Sequence, residues 1–241
     1  MQKVTVFSEY NECAKEIRCG TVYPLSMTQG FQSGDIYTDG NALLFHHYCG
    51  FAFLCGSIDE TFLCDVYSLM KESERRLVLF SEKEYISHYF EKFSEVSINT
   101  RYFYSYTGQP VSAVNKSYTI KKIDREMTDH LDGKITPSFS WNTGAFLQKG
   151  FGYAVIRDDM PASWAFSAAV SNDEVDIGVE TAGKYRGKGL AKIAVNEMIK
   201  AIIASGKKPV WACHSLNTGS QKLAESSGFV KTAECTVITI K

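Results

Sequence analysis

Hydrophobic and polar positions along this chain follow two rhythms, and the contrast is sharpest in its second half. In "DEVDIGV", Val175, Ile177 and Val179 stand on one side and Glu174, Asp176 and Gly178 on the other, which predicts a strand over residues 174–179. The period then changes. Leu190, Ile193, Ala194, Met198, Ala201 and Ile202 recur at spacings of three and four, predicting a helix over 189–205 that Gly206 can end. Upstream, "YTIKKI" predicts a strand and "DREMTDHLDG" a short helix closed by Gly133. Residues 151–157 and 163–170 predict a hairpin across "DDMP", and "PVWAC", "GSQKLAESSG" and "FVKTAECTVITI" predict strand, helix and terminal strand. No internal repeat is visible in the sequence.

The first half is less periodic. "GFAFLCGSI" and "TFLCDVYSLM" are apolar runs that fit buried strands or helix segments alike. "SEKEYISHYFEKF" predicts a helix over 81–93, with Ser81 as its cap and Glu84 three positions on; the face bearing Tyr85, His88, Tyr89 and Lys92 is expected in a core or interface. "YTGQPVSAVNKS" reads as a linker. It divides the chain into an N-terminal α/β accessory domain, 1–112, and a second domain, 115–241.

Composition narrows the function classes. The chain has 241 residues, 44% hydrophobic and 22% charged, with formal net charge -1. That is enough to bury a core, and it lacks the concentrated basic character of a nucleic-acid binder. No apolar run reaches membrane-spanning length, and the start lacks a basic region followed by an apolar stretch, so neither membrane insertion nor secretion is expected. Seven cysteines without a CxxC pair fit a reduced, cytoplasmic protein. His46 and His47 are strand neighbours facing opposite sides, so no metal site is expected from them. Trp141 and Trp164 are expected in the core.

"TAGKYRGKGLA" carries the candidate chemistry. It joins the predicted strand to the predicted helix, with Lys184, Arg186 and Lys188 set among Gly187 and Gly189. Backbone N–H groups at a helix start, flanked by cations, suit a diphosphate. The glycine spacing is neither GxGxxG nor GxxxxGK[ST].

With Arg186, Gly189 and Ala191 in "RGKGLA", the chain resembles the GCN5-related N-acetyltransferase family, whose phosphate motif is Arg or Gln, two residues, Gly, one residue, then Gly or Ala. The longer text "YRGKGLA…PVWACHSLNTGSQKLAESSGF" is similar to a bacterial branch that includes zwittermicin A resistance acetyltransferases. The resemblance covers about residues 118–240. It implies the mixed α/β fold of that family in the second half, with a mixed α/β domain before it. It also implies acetyl-coenzyme A as donor; five histidines without a repeated ligand pattern give no expectation of a metal. The pyrophosphate would rest on Arg186, Gly187, Lys188, Gly189, Leu190 and Ala191. The pantetheine arm would pair with Ile177, Gly178 and Val179 in a splay between two strands. Asn217 and Ser220 would meet its far end; helix capping is the alternative for both.

For acetyl transfer to an amine, the resemblance implies a carboxylate base, Asp176 first and Glu174 second, each of which could instead be a surface residue. Family members often carry a tyrosine acid where this chain has Ala224. His214 and Ser220 are the remaining candidates for proton handling, and a strand-end surface histidine is the alternative for His214. The expected acceptor is the primary amine of a small molecule, taken up by direct transfer in a ternary complex. A homodimer is one assembly the sequence allows, and the first half is expected to help shape the acceptor side. A regulatory acyl-coenzyme A-binding module with little turnover is the competing reading, and a nucleotide-binding protein the third.

Overall fold

The structure, a computed structural model, describes residues 1–108 and 118–241. Most of the expected linker, with the boundary between 112 and 115, lies outside the described residues. The chain forms two compact units. Met1–Phe103, Cys213–Leu216 and Thr232–Lys241 make one, and Tyr104–Ala212 with Asn217–Lys231 make the other.

The first unit runs β1 (Gln2–Lys3), α1 (Asn11–Lys15), α2 (Val22–Thr28), β2 (Gly34–Thr38), β3 (Ala42–His47), β4 (Phe51–Gly56), α3 (Glu60–Glu72), β5 (Val78–Ser81), α4 (Glu84–Glu91) and β6 (Val96–Tyr106), of which residues 104–106 belong to the second unit. The two ambiguous apolar runs resolve differently: the first is β4 and the second α3. Asp59 decides the second, because its Oδ1 accepts from the Phe62 N–H at 2.8 Å and starts a helix there. That helix buries Phe62, Leu63, Val66 and Met70 against Leu44, Ala52, Leu79 and Phe90. The expected cap at Ser81 does not form. Ser81 ends β5, its hydroxyl engages Lys83 instead, and α4 starts at Glu84. The buried face of α4 is Ile86, Ser87 and Phe90, while Tyr85 is 48% exposed. Ile86 and Phe90, outside the aromatic stripe read from the sequence, sit in the core, and Tyr89 of that stripe packs against it.

The second unit runs β7 (Thr119–Lys122), α5 (Arg125–Thr128), α6 (Thr143–Lys149), β8 (Gly152–Arg157), β9 (Met160–Val170), β10 (Glu174–Thr181), α7 (Leu190–Ala204), β11 (Lys208–His214), α8 (Thr218–Ser226) and β12 (Phe229–Ile240). The hairpin is tighter than "DDMP" implied. Asp158 and Asp159 both take positive φ (51° and 58°), a two-residue turn, so β9 begins at Met160. The short helix α5 stops at Thr128, well before Gly133. That glycine serves close approach, since a Cβ on it would lie 2.4 Å from Glu180 Oε2. Trp141 and Trp164 are buried and donate their indole N–H groups to Ser167 O and Ile135 O at 2.7 and 2.8 Å.

Strand pairing reveals a repeat that the sequence does not display. Each unit follows the order strand, two helices, three strands, helix, strand, helix, strand. In the first, β1–β2, β2–β3 and β3–β4 are antiparallel and β4–β5 parallel. In the second, β7–β8, β8–β9 and β9–β10 are antiparallel and β10–β11 parallel. The long final strand serves both units: residues 229–231 belong to the second, and 232–240 to the first, where Thr236–Ile238 pairs with Leu79–Ser81 of β5. Its edge there is paired rather than exposed.

Candidate active site

Two parallel strands that part company create the site. β10 and β11 pair at Glu174–Lys208, Val175–Pro209 and Asp176–Val210. Both strands continue, to Thr181 and His214, yet no further pair joins them among the described residues. At the same place the antiparallel register of β10 with β9 slips between Asp176 and Ile177, with Ala168 as the extra residue. A bulge bends its strand and increases local twist, so the bulge and the divergence together open a slot along β10. Ile177 and Gly178 are buried, and Val179 is half-buried. Gly178 is small for a packing reason: a Cβ on it would meet the Phe166 ring at 2.6 Å.

β10 leads into the glycine loop. Tyr185 is the loop's anchor, buried, its hydroxyl donating to Asp158 Oδ2 at 2.9 Å. Arg186 donates from Nε to Thr181 O at 3.2 Å, and its Nη2 lies 3.6 Å from Glu180 Oε1. Glu180 in turn accepts from the Ile135 N–H at 2.6 Å. The arginine is thus held on the loop while its side chain stays 68% exposed. Gly187 and Gly189 take φ of 74° and 75°, in the left-handed region that favours glycine, and a Cβ on either would have nothing within 4 Å. α7 begins at Leu190 with no side-chain cap and no acidic residue in its first turn. Its leading N–H groups therefore carry no side-chain cap, and exposed Lys184, Arg186 and Lys188 precede them, with Ala191 half-buried. The residues present fit a diphosphate: an open cradle, donors and cations.

The candidate bases differ in burial. Asp176 is 4% exposed, which removes the solubility reading for it. Glu174 is half-buried, and burial pushes its carboxyl above the usual range; Asp173 and Asp176 add to the shift while Lys208 opposes it. On the other strand's side, Asn217 caps α8, its Oδ1 accepting from the Ser220 N–H at 3.0 Å. The Ser220 hydroxyl accepts from Trp211 Nε1 at 3.1 Å. Asn217 thus fills the capping role weighed for it, and Ser220 is fixed as an acceptor for indole. His214 packs in the other compact unit, where its Nδ1 accepts from the Leu216 N–H at 3.1 Å. Ala224 is fully buried, leaving no hydroxyl at that helix position.

Sequence reasoning missed Tyr185, Asp158 and Glu180, which hold the loop. The tyrosine stands inside the motif text, but only its burial reveals the anchor. Among the described residues no cluster of metal ligands forms, and no helix is long and apolar enough to cross a membrane.

A family model described as GNAT acetyltransferase matches residues 16–238, reaching through the first unit and well beyond the stretch read as similar from the sequence. An uncharacterized N-acetyltransferase, YdfB, of Bacillus subtilis is 26% identical over 184 residues, 73% of this chain and 70% of that protein. Among solved structures, a GCN5-related N-acetyltransferase-like protein from Streptococcus suis aligns over 98% of both chains with TM-score 0.78 and 23% identity. A tandem GNAT protein from the clavulanic acid biosynthesis pathway aligns over 97% of this chain and 93% of its own, with TM-score 0.64 and 9% identity. With the family's phosphate motif in its strand–loop–helix setting and a family match over most of its length, this chain belongs to the GNAT acetyltransferase family of acyl-transferring enzymes.

Proposed function

We propose that this chain moves an acetyl group from acetyl-coenzyme A to the primary amine of a small molecule, by direct transfer in a ternary complex in the cytoplasm. The observation that carries the reading is the uncapped, cation-flanked start of α7 directly following a strand that diverges from its parallel neighbour. Acetyl-coenzyme A supplies the acetyl group as a thioester. Arg186 to Ala191 bind its diphosphate through backbone N–H groups and the Arg186 guanidinium. Ile177, Gly178 and Val179 offer the strand edge along which an amide-bearing arm can lie. Asp176, where the slot opens, is the first choice to take the amine's proton as the C–N bond forms and the C–S bond breaks. Glu174, its carboxyl already raised by burial, is the second. The departing sulfur takes up a proton, for which no side chain is assigned. Holding both reactants in the slot supplies the remaining rate enhancement.

The test is thiol release from acetyl-coenzyme A across a panel of amines. Asp176→Asn keeps the size of the side chain and removes the proton acceptor, so turnover is expected to fall on the order of a hundredfold with little change in donor affinity. An unchanged pH–rate profile in that variant would overturn the assignment of Asp176. The buried Ala224 favours one second reading, a binding module with little turnover. Saturable donor binding without thiol release from any amine would support it.

A further inference from the structure

The first unit repeats the strand divergence, with different chemistry at its mouth. β4 and β5 pair in parallel at Phe51–Val78, Ala52–Leu79 and Phe53–Phe80. β4 then continues to Gly56 and β5 to Ser81, with no further pair between them among the described residues. Their outer edges are occupied: Leu54, Cys55 and Gly56 pair with β3, and Ser81 pairs with Thr236 of β12. The inner edges border a cleft of about 340 Å³ walled by apolar side chains, Phe53, Leu54, Phe80 and Ile86 among them, and by two acids and two cations, Glu16 and Glu82 with Arg18 and Lys83, whose formal charges cancel. That volume lies within the range of small-molecule sites, about 300–1,000 Å³. Glu82 closes one wall by accepting from the Cys19 N–H at 2.7 Å, and Lys83 Nζ reaches Gly56 O at 3.4 Å.

The helix that follows β4 differs from α7 in the feature that matters for phosphate. Asp59 caps α3 with its own carboxylate, and Glu60 occupies the first turn. Those charges satisfy the helix's positive end and repel an anion brought there. α7 has a glycine and no acid at the corresponding place.

We propose that the β4–β5 cleft is a second ligand site, taking an uncharged, extended chain that carries secondary amides. A pantetheine arm without its diphosphate and a short neutral peptide share that chemistry. Two diverging strand edges cannot satisfy each other's N–H and C=O groups, whereas an amide chain laid between them can pair with either edge. The aromatic and aliphatic walls bury its methylene segments. The lining's two cations are balanced by its two acids, and the carboxylates at the start of α3 add repulsion toward the phosphates of intact coenzyme A.

Hydrogen exchange read by mass spectrometry on the full chain separates this site from the proposed donor site. The probes are pantetheine, N-acetyl-Gly-Val-Gly-amide and coenzyme A, each at millimolar concentration. Pantetheine, the tripeptide or both are expected to slow exchange roughly fivefold or more in residues 54–58 and 81–83. Slowing by one alone identifies the source. Coenzyme A is expected to leave those segments unchanged and to slow residues 183–191. Leu54→Trp, which fills the cleft, should abolish the effect at 54–58 and 81–83 while sparing that at 183–191. No slowing by either neutral probe, equal slowing by coenzyme A, or persistence in the Leu54→Trp variant would overturn the second site. Failure of coenzyme A to slow 183–191 would count against the donor site alone.

Discussion

Changing Ala191 to Glu places a carboxylate in the first turn of α7, where none now stands. Folding and binding should respond in opposite ways. A negative charge near a helix N-terminus favours the fold by about 0.3–1 kcal/mol. Alanine's better helix propensity offsets a few tenths of that, roughly 0.2–0.5 kcal/mol. The melting temperature should therefore stay level or rise slightly. A diphosphate bearing two negative charges within about one helical turn, 5.4 Å, is repelled by about 1.5 kcal/mol under full water screening. At an effective dielectric of about 20 the same geometry gives about 6 kcal/mol. The smaller figure already corresponds to about tenfold in Kd. Calorimetric titration with coenzyme A measures the loss, and Ala191→Gln, equal in size and neutral, should change affinity far less. Raising the ionic strength should recover part of the loss, because the loop is exposed. A folded Ala191→Glu variant that binds coenzyme A as tightly as the Gln variant would refute the placement of the diphosphate.

Other expectations follow from burial and close packing. Gly178→Ala should cost about 1–3 kcal/mol by driving a methyl into the Phe166 ring; combining it with Phe166→Leu should recover part of that, and simple additivity in urea denaturation would argue against the contact. Glu174 has a folded-state pKa above its ordinary value of 4.5. The folded chain therefore binds the proton more tightly, and stability falls as pH rises through that raised pKa. Glu174→Gln should accordingly stabilise the protein at pH 7 and lose that advantage below about pH 4.5, as compared by denaturation at the two pH values. His46 has the opposite sign. Burial, aided by Arg75, lowers it to about 4, and Arg75 Nη2 donates to its Nδ1 at 2.8 Å while its Nε2 meets Arg76 O at 3.0 Å. From pH 6.5 down to about 4 the unfolded chain takes the proton that the folded one refuses, so stability drops with falling pH. His46→Gln should flatten that acid limb, and an unchanged pH profile would show that His46 does not set it.

Local pattern sufficed where one face of an element was buried and the other wet. The period of Leu190, Ile193, Ala194 and Met198 placed α7 to within a residue at each end, because helical spacing and burial agree there. The glycine loop was legible for a related reason. Its glycines are required by their own positive φ, a local demand that leaves its mark in the sequence whatever packs nearby. Strand β10 was legible as a strand but misleading in its exposure: burial on both faces put Asp176 out of reach of bulk solvent, and alternation cannot report what covers the polar side.

Tertiary structure alone decided the rest. Which apolar run became β4 and which α3 turned on a cap at Asp59 and on the core shared by Phe62, Val66 and Leu79. Tyr185 became an anchor only because the β8–β9 turn brings Asp158 to it across 27 positions of chain. The duplicated strand order left no trace in the text, since a fold constrains which positions are apolar far more than which residues fill them. Divergence of β4 from β5 and of β10 from β11 is likewise a property of strand pairs. No residue in either strand encodes it by itself, because hydrogen-bond register exists only once two distant segments meet.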